Sequence, residues 1–132
     1  VGLEIPSEMQ GKSFKGAFEE DEKNQRKSVY YHYYEFPIWH KVQPHYGVKT
    51  DRYKLIHFYY SMDEWELYDL KTDPNEMHNI YSEAPAELIE TLKKELNVLR
   101  KEYKDDDSME QMRRMTDTVI RRVYNEPNKI MK

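Results

Sequence analysis

Bulky positions crowd three short runs near the middle of the chain, alternating with polar ones in the last. Tyr46–Thr50, Tyr53–Tyr60 and Trp65–Leu70 each read as a strand, the second dense in aromatic and β-branched residues. The connections are shorter than the crossover of about a dozen residues that parallel strands need, so these strands pair antiparallel. Thr50-Asp51-Arg52 makes one turn and Asp63-Glu64 a polar hairpin tip. Asp73-Pro74-Asn75 closes the run, because Pro fixes φ and offers no ladder donor. Upstream, Ser28–Tyr34 sets Val29, Tyr31 and Tyr33 against Tyr30, His32 and Tyr34. That predicts a further strand with aromatic residues on both faces, so each face is covered or waits for a partner.

Past Pro74 the period changes. Leu88, Leu92, Leu96, Leu99 and Tyr103 step by four and three, which predicts a helix over Ser82–Tyr103. Ser82 is the expected N-cap, with Pro85 early, where its absent N–H does no harm. Glu83, Glu87 and Glu90 gather at the start and Lys93, Lys94, Arg100 and Lys101 toward the end, as the helix dipole favours. The stripe should rest on one face of the sheet. The expected fold is α+β in two layers, a four-stranded antiparallel sheet packed with a long helix.

Lys104 to Asp107 interrupts the helix, and Asp105-Asp106-Asp107 reads as a solvated turn. Asp107 or Ser108 would cap a second helix. Its stripe of Met109, Met112, Met115 or Thr116, Val119 or Ile120, and Val123 is thin and Met-rich, hence adaptable. Arg113, Arg114, Arg121 and Arg122 flank it, and Asn125–Lys132 reads as a tail. At the other end, Val1–Phe18 scatters Gly2, Pro6, Gly11 and Gly16 among apolar residues, a density that argues against a regular element. Glu19–Lys27 has no apolar face and reads as a solvated loop, the alternative being a helical turn, since its acids come first and its bases last as a helix dipole favours. Phe36–Pro44 is a loop bounded by prolines that carries Trp39 and His40, and a Trp in a connection needs a surface to bury against.

Composition changes this picture little. The 132 residues suit one domain, and a modest 38% hydrophobic fraction is supplemented by twelve Tyr and two Trp, which bury apolar area while keeping a polar handle. The net charge of −4 with mixed signs excludes a basic nucleic-acid face. No run approaches the roughly 20 apolar residues of a membrane-spanning helix. The absence of cysteine excludes disulfides and thiolate metal sites. The five histidines, His32, His40, His45, His57 and His78, show no helical i, i+4 metal spacing. Asp69, Asp73 and Asn79 read as turn formers, and Arg52 as the partner of neighbouring Asp51.

Two segments resemble a known family. "GVKTDRYKLIHFY" from Gly47, followed by "WELYDLKTDPNEMHNIY" from Trp65, is similar to the C-terminal subdomain of the type I, formylglycine-dependent sulfatases. "MQGKSF" at Met9–Phe14 resembles the segment that ends their catalytic domain. "YYHYYEFPIWHKVQPHYG" resembles bacterial enzymes of the N-acetylglucosamine-6-sulfatase-like group. The resemblance implies residues 1–27 as a linker from a catalytic domain, residues 28–104 as the sulfatase C-terminal α+β subdomain, and residues 105–132 as a helical extension. It implies a parent that hydrolyses sulfate esters on a sulfated glycan, periplasmic or extracellular, with calcium and formylglycine in the catalytic domain. With no cysteine and no recognisable metal acids, this chain alone is expected to be inactive. It would supply pocket wall and stability to the catalytic domain beside it. The Trp39–Tyr46 loop then becomes the candidate substrate contact, with His45 first, then His40 and Trp39, and with Lys41 able to attract an anionic glycan. The competing expectation is an autonomous carbohydrate- or protein-binding module. It would need Tyr30, Tyr34, Trp39 and His45 in one exposed groove.

Overall fold

A computed structural model describes residues 6–11, 18, 26–37 and 40–125. Most of the expected leader and polar loop before Arg26, Trp39 in the prolyl loop, and the tail after Asn125 lie outside the described residues. Four strands, β1 (Ser28–Tyr33), β2 (His45–Thr50), β3 (Tyr53–Phe58) and β4 (Glu64–Asp69), form an antiparallel meander in the order β1-β2-β3-β4. Two helices follow, α1 (Ala86–Glu102) and α2 (Met109–Asn125). This is the α+β arrangement read from the alternation and the leucine stripe.

The period of two assigns the faces. Tyr46, Val48, Leu55 and Leu67 point toward α1 and bury against Leu92, Leu96 and Leu99, with Met112 of α2 completing the core. Register then produces two neighbouring cross-strand rows, one residue apart and on opposite faces. His32, Tyr46, His57 and Trp65 form the inner row; Tyr33, His45, Phe58 and Glu64 form the outer one. Gly47, which follows Tyr46 and pairs with Tyr31 and Ile56 in the next row of the outer face, shows how tight the sheet is. A Cβ there would meet the Leu55 carbonyl oxygen and would lie 2.5 Å from the Tyr31 hydroxyl oxygen, because the Tyr31 side chain lies against the bare glycine.

Three local expectations need correction. Helix α1 begins at Ala86 with Pro85, not Ser82, at the cap position, and no side chain caps it. The Ile80 carbonyl instead accepts from Glu83 and Ala84 N–H in a separate turn, and the Pro85 carbonyl accepts from Leu88 N–H at 3.0 Å. A residue before proline is disfavoured in the α region, so the helix cannot run back through Ala84. Arg52 pairs with Asp69, Nη2 to Oδ2 at 2.8 Å and Nε to Oδ1 at 3.1 Å, rather than with Asp51. Register explains this: Tyr53 faces Asp69 across the ladder, and the Arg52 carbonyl already accepts from Leu70 N–H.

Asp105 is the third correction. It is no solvated turn residue. Helix α1 ends in a Schellman motif, with Lys104 at φ 55°, Lys104 N–H bonded to the Lys101 carbonyl and Asp105 N–H to that of Arg100. The motif turns the Asp105 side chain back onto β1, while Asp106 and Asp107 stay exposed. Helix α2 starts with a capping box: Gln111 N–H donates to Ser108 Oγ at 3.3 Å and Ser108 N–H to Gln111 Oε1 at 2.9 Å. Its inward stripe is Met109, Met112, Thr116 and Ile120, whereas Met115 and Val119 are exposed.

Candidate functional site

The inner row is a closed hydrogen-bonded system. Asp105 Oδ2 accepts from Tyr30 Oη at 2.6 Å, from His32 Nδ1 at 2.8 Å and from Tyr34 Oη at 2.8 Å. Burial alone would raise the Asp105 carboxyl, but the three donors and the nearby His32 outweigh it and hold it below its ordinary value. Burial lowers the His32 pKa despite the carboxylate beside it, so the ring is neutral at neutral pH. Its Nδ1–H therefore donates to Asp105, and Nε2 accepts from the Tyr59 hydroxyl at 2.9 Å. Burial also lowers His57, whose Nε2–H donates to Asp63 Oδ1 at 2.8 Å while Nδ1 accepts from the Tyr46 hydroxyl at 2.8 Å. The His57 ring stacks on Trp65 at 4.0 Å, and Lys93 Nζ sits 4.2 Å over the other aromatic partner of that stack. Arg113 bonds Asp63 and the Tyr59 carbonyl, tying α2 to the same network. Every ring nitrogen of His32 and His57 is occupied, which leaves them nothing to offer a ligand.

The outer row is different. His45 opens β2 half-buried, its ring stacked on Tyr33 (centroids 5.3 Å, 20°), tilted against Phe58 (5.0 Å) and edge-on to Tyr31 (6.0 Å). Its Nδ1 lies 2.8 Å from the Gln43 carbonyl oxygen. Among the described residues Nε2 has no hydrogen-bond partner. His40 is exposed in the preceding loop, and Trp39 lies outside the described residues. So the structure brings His45 together with Tyr31, Tyr33 and Phe58. Tyr30 and Tyr34 are on the helix side, bonded to Asp105, so they share no groove with His45.

Sequence reasoning missed Asp105 and Gln43. The three-carboxylate run concealed Asp105, although a residue just past a leucine-striped helix is where a Schellman turn redirects a side chain. Gln43 acts through its backbone carbonyl, which no residue type announces. Among the described residues, no group of three or more His, Cys, Asp or Glu side chains is arranged to hold a metal ion. The cysteine from which formylglycine is made does not occur in the sequence. The described residues thus do not fit calcium, and the sequence has no cysteine to become formylglycine.

Known proteins give the geometry its context. The chain is 48% identical over 111 residues to the N-acetylglucosamine-6-O-sulfatase of Bacteroides thetaiotaomicron, a match covering 81% of this chain and 20% of that protein. The chain thus spans about one fifth of that relative's length. A structure solved in complex with its substrate D-glucosamine-2-N,6-O-disulfate superposes with a TM-score of 0.74 at 46% identity, covering 83% of this chain and 23% of the other. A putative sulfatase of Bacteroides fragilis shares the fold, with a TM-score of 0.50 at 23% identity over 76% of this chain and 22% of that one. The family described as N-sulphoglucosamine sulphohydrolase, C-terminal, matches residues 1–102, and the chain belongs to it.

Proposed function

We propose that this chain is the C-terminal α+β part of a sulfatase that hydrolyses sulfate esters on a sulfated carbohydrate. The observation that carries the reading is the match to the Bacteroides thetaiotaomicron N-acetylglucosamine-6-O-sulfatase, 48% identical over 111 residues. Sulfated glucosamine is the substrate class that the relatives favour, since one of them was solved with a glucosamine disulfate. Nucleophile and metal belong to a catalytic domain in the same parent, where formylglycine and calcium supply the attacking oxygen and the Lewis acid. The parent works in the periplasm or outside the cell. This chain's own part is to build one wall of the sugar pocket and to stabilise the catalytic domain.

On this reading His45 contacts the sugar, with His40 and Trp39 of the same sequence segment as the next candidates. A half-buried imidazole held among aromatic rings, with one nitrogen unengaged among the described residues, is suited to that role. The separation of Tyr30 and Tyr34 from His45 counts against an independent module that binds through one Tyr-rich face. His45→Ala in the full-length protein is the test. We expect kcat/KM on the natural sulfated sugar to fall about tenfold or more, equivalent to about 1.4 kcal/mol of lost contact, with the fold intact by circular dichroism. Unchanged kcat/KM removes His45 from the pocket.

A further inference from the structure

Resting on the sulfatase reading, we infer that His45 meets the sugar as a hydrogen-bond acceptor, through Nε2, and therefore selects a hydroxyl group rather than the sulfate. Gln43 and Tyr33 are the positioning residues that fix this polarity. The argument starts at the Gln43 carbonyl. A carbonyl oxygen can only accept, so the 2.8 Å contact requires a proton on His45 Nδ1. A neutral imidazole carries one N–H, which leaves a lone pair on Nε2. No described residue engages that lone pair.

The ring is also held against turning over. Tyr33 stacks on it at 20°, Phe58 closes the other side at 5.0 Å, and Tyr31 meets its edge. A half-turn about the Cβ–Cγ bond would put a C–H at the Gln43 carbonyl and forfeit the hydrogen bond. The carbonyl itself is braced. Gln43 Oε1 accepts from Ser61 Oγ at 2.8 Å, and the next residue's carbonyl, that of Pro44, accepts from Tyr59 N–H at 3.3 Å. These two bonds fasten the loop before β2 to the segment after β3.

Sulfate oxygens are acceptors, so facing them with a lone pair is repulsive, whereas a sugar hydroxyl donates well. The charge nearby points the same way. The fourth member of the outer row is Glu64, an exposed anion, and the next row on that face, Tyr31, Gly47, Ile56 and Glu66, brings a second carboxylate and no cation. Among the described strand residues that share the face with His45 in these two rows, the charges are negative.

Two measurements test this. In the 132-residue chain, long-range ¹H–¹⁵N spectra of the histidine rings should show His45 protonated on Nδ1 and bare on Nε2, and an Nε2–H tautomer overturns the inference. In Gln43→Ala, which removes the brace, the Nε2–H fraction should rise, and an unchanged ratio strips the Gln43 side chain of its positioning role. In the full-length protein, His45→Ala is compared on the native sulfated sugar and on analogues that keep the sulfate and each lack one hydroxyl. The expected loss is about tenfold on the native sugar and within about twofold on one analogue, because the contact is already gone there. An equal loss on every analogue overturns this inference while leaving His45 in the pocket. No loss on any sugar overturns both.

Discussion

The two rows of the sheet contain similar residues and do opposite things. His32 and His57 on the inner face, like His45 on the outer, lie among tyrosines and other rings. The inner pair use both nitrogens, each bridging a carboxylate and a tyrosine hydroxyl. His45 spends one nitrogen on a backbone carbonyl. The inner carboxylates arrive from outside the strands, Asp105 from the end of α1 and Asp63 from the hairpin tip that Arg113 of α2 clamps. Helices thus convert inner histidines into fasteners, and among the described residues no carboxylate reaches the outer one. The difference lies in what the helices bring to each face more than in the strand residues themselves.

The largest effect should come from removing the group on which the inner row converges. Asp105→Ala leaves Tyr30, Tyr34 and His32 without their common acceptor. We expect a loss of about 3 kcal/mol in urea unfolding, within the range for hydrogen bonds to a partly buried charge. A loss under about 1 kcal/mol would erase the distinction between the rows, since the inner network would then be dispensable. Next comes the packing of the outer face beside the His45 row. Gly47→Ala sets a methyl group against the Leu55 carbonyl and the Tyr31 hydroxyl oxygen. The backbone oxygen cannot swing away as a side chain would, so we expect a cost of about 2 kcal/mol by the same measurement. Because Tyr31 packs edge-on to His45, this variant should also broaden the His45 ring resonances, and sharp, unshifted ones would uncouple the outer row from its glycine.

Much of this was legible beforehand, and the limits have physical reasons. Alternation in Trp65–Leu70 reports a strand, and leucine spacing reports the helix stripe. Both are local periodicities that burial enforces. Register is not local. Nothing in the letters says that His45 lands between Tyr33 and Phe58, or that Arg52 meets Asp69 rather than Asp51. Asp105 was hidden for another reason: a charge run has the same composition whether solvated or aimed inward. Only the left-handed turn at Lys104 decides between the two. The His45 loop was singled out by its residue types and its resemblance to sulfatases, but the bond that sets the ring's polarity comes from a main-chain carbonyl.

The smallest effect we expect is a dependence on pH, and it sharpens the comparison because it reads the burial of the inner histidines. Burial holds the folded pKa values of His32 and His57 below the ordinary 6.5. Between 6.5 and those lower values the unfolded chain binds protons that the folded chain refuses, so stability is complete above about 6.5 and declines as the solution is acidified. His32 is faced by Asp105 and Arg100, and His57 by Asp63, Lys93 and Arg100. The carboxylates pull each pKa upward and the cations push it down with burial, so the net depression, and the loss of stability, is modest. Asp105 and Asp63 are themselves held below the ordinary carboxylate value of 3.8, and they add a second loss only in stronger acid. The urea midpoint should therefore fall between pH 7.5 and 5.5, and His32→Gln with His57→Gln should flatten the slope while lowering the whole curve. A midpoint that rises on acidification would mean that the carboxylates dominate and the inner histidines are charged. In that case both nitrogens of each ring would be donors, and the tyrosine hydroxyls of Tyr59 and Tyr46 would have to reverse from donating to accepting.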